Sequence, residues 1–313
     1  MISPAIYIAS HNAEQYRDLI YQELGESLDI GIATSQDDVI GNYSQEPVVL
    51  GSPDLLATLL ATEPPVQWVQ STWAGVTPLI NLPFKDYQLT GVKDVFGAQM
   101  GEYVLGYVLA HEIRMTERRN AQTGKQWDQS SSTRAEGKTM GVMGTGSIGS
   151  HVAEVAMHLG IRVLGFNSSG NPVEPFERVY SNESLSTFLR QCDYLVGILP
   201  DLEATTDLIN AEALKTMKST ALLINVGRGN LIDEPALCDA LSAGEIAGAV
   251  LDVFKHEPLP TNSPLWSAPN CTITGHVAAV SHPEDIVKLF VENHDRYINE
   301  QPLAHLVDFE KGY

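Results

Sequence analysis

The chain has 313 residues, 43% of them hydrophobic and 19% charged. That length exceeds one ordinary core and implies two domains of about 100–200 residues each. The composition excludes a disordered chain, no apolar run reaches the ~20 residues that span a bilayer, and a net charge of −20 works against nucleic-acid backbones and anionic lipids as partners.

The same charge means that an anionic ligand must be drawn in by local positive groups, although solubility is the plainer use of most carboxylates. Cys192, Cys238 and Cys271 form no CxxC pair. Neither a disulfide framework nor a metal site is expected, and a reducing cytoplasm is the simplest setting. The opening MISPAIYIAS lacks the basic region and cleavage site of a signal peptide and reads as a first buried strand.

In chain order, Ala5–Ser10 is a short apolar run, and Asn12–Leu24 reads as a helix with Asn12 as N-cap candidate and Gly25 as stop. Pro47–Gly51 is a buried strand candidate. Pro53–Thr62 is a short helix with Pro in its first turn, and Trp68–Ser71 is a further strand. This alternation implies a parallel sheet with helices packed on it. Met100–Arg118 is a long helical stretch, and the polar Asn120–Glu136 reads as a surface connection. From Lys138 the pattern is regular. Strands are expected at Thr139–Met143, Arg162–Phe166, Tyr194–Leu199, Ala221–Val226, Ala247–Val253 and Cys271–Thr274. Helices are expected at Ser147–Leu159, Glu183–Arg190, Ala211–Met217 and Glu234–Ser242, the last ended by Gly244. Six strands with crossover helices describe a doubly wound dinucleotide fold. A final helix, about His282–Asn299, is expected to carry the chain back to the first domain.

The first strand of that series runs into Gly141-Val-Met-Gly144-Thr145-Gly146-Ser147-Ile148-Gly149. G-x-G-x-x-G alone is weak, since glycines are common in tight turns; here a strand precedes it and a helix follows. Gly144 permits the turn, Gly146 lets backbone approach a pyrophosphate, and Gly149 lets helix pack on strand. The N–H groups of Ser147 and Ile148 then open a helix N-terminus, where an anion is stabilised. An NAD site ordinarily carries Asp or Glu about 20 residues on, for the ribose 2′-OH. Here Asn167 stands in that place, followed by Ser168 and Ser169. Losing the carboxylate removes repulsion against a 2′-phosphate, yet no Arg follows directly to hold one. NADP is therefore favoured modestly, with NAD left open.

Three segments fall at ends of expected strands: Ile224-Asn-Val226-Gly227-Arg228-Gly229, Leu251-Asp252-Val-Phe-Lys-His256-Glu257-Pro-Leu259 and Thr274-Gly-His276-Val-Ala-Ala279. Together with the glycine turn and Trp73-Ala74-Gly75-Val76, they resemble the D-isomer-specific 2-hydroxyacid dehydrogenase family over nearly the whole chain. Phe96-Gly-Ala-Gln-Met100, His276-Val-Ala-Ala-Val-Ser281 and the Lys-Gly-Tyr313 end resemble the short glyoxylate/hydroxypyruvate reductases within it. The resemblance implies a Rossmann cofactor domain over 99–283 and a smaller flavodoxin-like α/β substrate domain over 1–98 and 284–313. It implies a dimer with the Met100–Arg118 helix in the contact, and a cleft active site for a small anionic keto acid.

It also assigns the chemistry to Arg228, Glu257 and His276. Histidine titrates near neutral pH and can protonate a carbonyl oxygen, and a carboxylate neighbour favours the protonated ring and fixes its orientation. Arginine stays charged and grips a carboxylate through two parallel hydrogen bonds. Taken singly, each has a plainer reading: an ion pair, a solvated turn, one histidine among nine. Their order and their strand-end positions support one another. By the same resemblance, backbone N–H groups of Ala74–Val76 bind the substrate carboxylate. Val226, Gly227 and Asp252 face the cofactor, and Pro200 and Thr205 flank the adenosine. Trp73 and Met100 are candidates for lining the substrate pocket. A cap or a turn is the alternative for Asp252, Pro200 and Thr205, and core packing for Trp73 and Met100. Trp266 and His282 are rim candidates. The rivals are another activity of the family, such as a D-lactate type, or a dinucleotide-sensing protein without turnover.

Overall fold

The structure is a computed structural model and describes residues 4–310, so the Lys-Gly-Tyr313 end lies outside the described residues. The chain divides into two compact units. The first comprises the described residues up to Val95 and from Ser281 onward; the second is Phe96–Val280.

In the first unit the chain runs β1 (Ile6–Ala9), α1 (Ala13–Leu24), β2 (Ile30–Ala33), β3 (Val48–Gly51), α2 (Pro53–Leu60), β4 (Trp68–Ser71), α3 (Thr77–Ile80) and β5 (Gln88–Thr90). All pairings are parallel, in the order β2-β1-β3-β4-β5. The central strands β1, β3 and β4 are buried at every residue, as expected of a parallel sheet covered on both faces. The final helix returns to this unit and packs on α1. Phe290 from that helix stacks on Trp68 at 5.1 Å, and the Trp68 indole N–H donates to Thr90 Oγ1 at 2.8 Å.

The second unit contains α4 (Gly97–Glu112), α5 (Met115–Thr123), β6 (Thr139–Met143), α6 (Ser147–His158), β7 (Arg162–Phe166), β8 (Arg178–Tyr180), α7 (Leu185–Leu189), β9 (Tyr194–Gly197), α8 (Ala211–Thr216), β10 (Leu222–Asn225), α9 (Glu234–Ala243), β11 (Gly248–Leu251) and β12 (Cys271–Ile273). The returning helix of the first unit is α10 (Pro283–Ile298). The sheet is parallel throughout, in the order β12-β11-β10-β9-β6-β7-β8. Alternate side chains along a strand point to opposite faces. Accordingly Met143, Leu195, Leu223 and Leu251 join one core with Phe188, Leu214 and Leu237 of α7, α8 and α9. Val142, Val196, Ile224 and Val250 join the other, with Val104 of α4 and Val152 of α6. The strand order reverses between β6 and β9, the place where such sheets open a ligand crevice at their carboxyl ends.

Two expectations need correction. The single helix over Met100–Arg118 is two helices, because the chain turns left-handed at Arg114 (φ 54°). The Arg118 guanidinium secures the break by donating to Ile113 O at 2.7 Å and Ser130 O at 2.9 Å. The polar connection read as starting at Asn120 begins later, since α5 runs to Thr123. No helix among the described residues is long and apolar enough to cross a membrane.

Candidate active site

The glycine turn lies between β6 and α6. Gly144 takes φ 116°, which a side chain rarely tolerates, and a Cβ on Gly149 would fall 1.9 Å from Gly144 O. A Cβ on Gly146 would meet nothing within 4 Å; it would project into open space in front of the helix N-terminus. Gly146 and Ser147 are exposed, Thr145 and Ile148 half-buried. Free backbone N–H groups, an open cradle and no blocking side chain fit a dinucleotide pyrophosphate.

At the end of β7, Asn167 is committed to its own loop. Its Oδ1 accepts from the N–H groups of Ser169 (3.1 Å) and Gly170 (2.7 Å), and its Nδ2 donates to Thr145 Oγ1 at 2.8 Å. The loop carrying the exposed Ser168 and Ser169 is thereby tied to the glycine turn. On β9's side, Pro200 is exposed, and Thr205 Oγ1 donates within the 200–205 turn while accepting from Leu202 N–H. Thr205 is thus seen acting as a turn cap. Gly227 sits so close to Ile198 backbone that a Cβ would lie 2.8 Å from its Cα, and Val226 is buried.

Arg228, Glu257 and His276 come together around one pocket of about 250 Å³, with Asp201, Gly229, Asn230, Phe254 and Lys255. Arg228 follows β10, Glu257 lies on the loop after β11, and His276 on the loop after β12. His276 Nδ1 is 2.7 Å from Glu257 Oε2. An ionised carboxylate can only accept, so Nδ1 carries the hydrogen and Nε2 is left toward a ligand. Glu257 is steadied in turn, its Oε1 accepting from Phe254 N–H at 3.0 Å. The half-buried Arg228 makes one side-chain hydrogen bond among the described residues, from Nη1 to Gly227 O at 2.7 Å. Its other donors remain for a ligand. Burial pushes its guanidinium below its ordinary value, and the charges of Glu257 and Asp201 oppose that shift; an arginine stays charged throughout.

Asp252 does not line this pocket. It is 1% exposed, and its carboxylate accepts from Thr274 Oγ1 (2.5 Å), Val277 N–H (2.9 Å) and Ala278 N–H (2.8 Å). What is seen is an anchor for the His276 loop. Met100 is buried in the α4-side core of the second unit. In the first unit, Trp73 and Ala74 are exposed, Gly75 is half-buried and Val76 buried; Ser71 Oγ fixes the start of that loop, accepting from Trp73 N–H at 3.1 Å. Trp266 is exposed, its indole donating to Pro260 O, and His282 is the N-cap residue of α10. Sequence reading assigned no role to Asp201, Asn230 and Lys255 in the pocket, or to Gln99, Tyr103 and Thr274 beside the His276 loop.

The fold and this site define a nucleotide-binding α/β oxidoreductase. The D-isomer specific 2-hydroxyacid dehydrogenase NAD binding domain matches residues 105–278. A glyoxylate/hydroxypyruvate reductase A of Escherichia fergusonii is 34% identical over 217 residues, 69% of this chain and 70% of that one. A crystal structure of a D-isomer specific 2-hydroxyacid dehydrogenase family protein from Aeromonas salmonicida superposes with a TM-score of 0.91 at 38% identity, covering 98% of this chain and 99% of that one. A D-isomer specific 2-hydroxyacid dehydrogenase from Xanthobacter autotrophicus, solved with NADPH and MES, gives 0.88 at 30% identity, covering 99% and 100%. The chain belongs to the D-isomer specific 2-hydroxyacid dehydrogenase family and is an NAD(P)-dependent oxidoreductase.

Proposed function

We propose that this protein reduces a small 2-keto acid, glyoxylate or hydroxypyruvate, to the 2-hydroxy acid, using NADPH in preference to NADH. The observation that carries the reading is the Glu257-held His276 beside a half-buried Arg228 with free donors, in a pocket of about 250 Å³. Arg228 takes the substrate carboxylate by two parallel hydrogen bonds and orients the keto group. His276 Nε2 gives its proton to the carbonyl oxygen, and Glu257 stabilises the charged ring until then. The glycine turn would hold the dinucleotide, which when bound would supply a hydride to the keto carbon. Carbon gains the hydride, oxygen the proton, and the product keeps its carboxylate on Arg228.

Two features favour NADPH. Asn167 replaces the carboxylate that repels a 2′-phosphate, and the Xanthobacter relative was solved with NADPH. The name of the Escherichia relative favours the two short keto acids. We place the protein in the cytoplasm as a homodimer that joins through α4 and α5. Leu109, Ile113 and Met115 there are exposed, and α5 buries none of its own residues.

The test is loss of the reduced-nicotinamide absorbance with glyoxylate, hydroxypyruvate and pyruvate, each with NADPH and with NADH. Fast oxidation of NADPH by either of the first two supports the reading. Preference for pyruvate, or for NADH, overturns its finer half. No oxidation despite cofactor binding overturns the reductase assignment.

A further inference from the structure

We infer that Gln99 and Tyr103 are positioning residues for His276, holding its loop to α4; the inference rests on the reductase reading above. The loop that carries His276 has little of its own to fix it. It follows β12 without regular structure, His276 itself lies at φ 57°, and Val277 and Val280 are 54% and 43% exposed. Ala278 is its one fully buried apolar side chain among residues 274–280. A segment so poor in packing is held by hydrogen bonds or not held at all.

Those bonds come from two directions. Asp252 grips the middle of the loop through Val277 and Ala278 N–H, and its carbonyl accepts from His276 N–H at 2.8 Å. The two ends are held by α4. The Gln99 amide pairs with Val280 as a neighbouring strand would: Nε2 donates to Val280 O and Oε1 accepts from Val280 N–H, both at 3.0 Å. Four residues on, and therefore on the same helix face, Tyr103 reaches Thr274 Oγ1 at 2.6 Å. The direction of that bond follows from valence. The Thr274 hydroxyl has one hydrogen, and the Asp252 carboxylate can only accept. Thr274 therefore donates to Asp252, and Tyr103 donates to Thr274. Burial raises the Tyr103 phenol above its ordinary range, which keeps it a donor at every working pH.

The contacts span 171 and 181 residues of sequence, so nothing local substitutes for them. The helix that makes them is itself fixed, because α4 packs along α6, the helix opened by the glycine turn. One helix thus joins the cofactor-binding turn to the residue that delivers the proton. Since displacement of a reacting group by ~1 Å can cost about 100-fold in rate, the place of this loop is worth defending.

The experiment compares Gln99→Ala and Tyr103→Phe with the parent enzyme, alone and in a His276→Ala background. Each single variant is expected to lower kcat about 10-fold or more while the Kd for NADPH stays within about 2-fold. In the His276→Ala background neither should lower the residual rate further, because a residue acting through His276 has nothing left to position. Unchanged kcat in both single variants overturns the proposal, as does an equal loss in the His276→Ala background. A variant that melts early is judged by the imidazole nitrogen resonances of His276 at a temperature where it is folded. Resonances that match the parent's overturn the proposal; shifted or broadened ones support it. That readout needs no substrate, so a parent enzyme that reduces no keto acid sinks the reductase reading and leaves the positioning role still tested.

Discussion

In the proposed reaction His276 is the acid: Glu257 occupies its Nδ1, and Nε2 is left for a ligand. On that reading, replacing it with Ala removes the proton donor but leaves Arg228 and the glycine turn in place. The expected result is a fall in kcat of about 10²–10⁴-fold with little change in cofactor Kd, read by steady-state rates and cofactor fluorescence. Arg228→Lys tests a different quantity. Lysine keeps the charge and loses the planar fork, so KM for the keto acid should rise about 10-fold or more, with a smaller effect on kcat. Equal KM values for the two enzymes would remove Arg228 from the substrate carboxylate.

Elements carry these residues to their places, and one junction between elements has its own acid dependence. Glu112, at the end of α4, is 2% exposed; it pairs with Lys138 at 2.6 Å and accepts from the Tyr194 hydroxyl of β9 at 2.7 Å. Burial alone would raise its carboxyl, but the bonds from Lys138, Thr133 and Tyr194 outweigh it and hold the group below its ordinary 4.5. A depressed folded-state value stabilises the fold fully above that ordinary value and is lost as pH falls through the depressed one. Glu112→Gln should therefore cost roughly 1–3 kcal/mol near neutral pH, and the gap to the parent should narrow below about pH 4.5. Urea unfolding at the two pH values measures it; a gap independent of pH would count against the pairing. The same element shows where sequence was readable. The Rossmann strands announce themselves as apolar runs ending in glycine or polar residues, and the G-x-G-x-x-G turn and the segments carrying Arg228, Glu257 and His276 sit on those ends. The strands β2, β5 and β8 were not legible. Ile30–Ala33 is interrupted by Gly31, which packs against Glu46 and Tyr7, and Gln88–Thr90 and Arg178–Tyr180 are three residues long with a polar or charged start. The break at Arg114 has neither Gly nor Pro to mark it. The partners of the His276 loop were invisible for another reason: no local pattern links Gln99 to Val280.

At the scale of the whole molecule, exposed apolar side chains and net charge oppose each other. Leu109, Ile113 and Met115 lie exposed on α4, α5 and their junction, and Trp127 beyond them is 89% exposed. Each copy carries a charge of −20, so pairing two copies brings like charges together. A dimer formed through these residues should tighten with salt, and Ile113→Glu with Met115→Glu should leave a monomer, as light scattering after size exclusion would read. A doubled variant that remains dimeric would move the contact elsewhere. The left-handed backbone of His276 bears on the molecule's stability as a whole. A β-carbon in that conformation costs roughly 1 kcal/mol against glycine, and under the proposed function the loop keeps one there for the sake of the ring. His276→Gly and His276→Ala both lack the imidazole and differ in backbone strain, which at positive φ outweighs the larger unfolded-state entropy of glycine. The glycine form should be the more stable by about 1 kcal/mol, a rise of about 2–4 °C in Tm. Selection for turnover and selection for durability then pull in opposite directions at one residue, and a lineage of this fold freed from catalysis would be expected to let that position drift toward glycine.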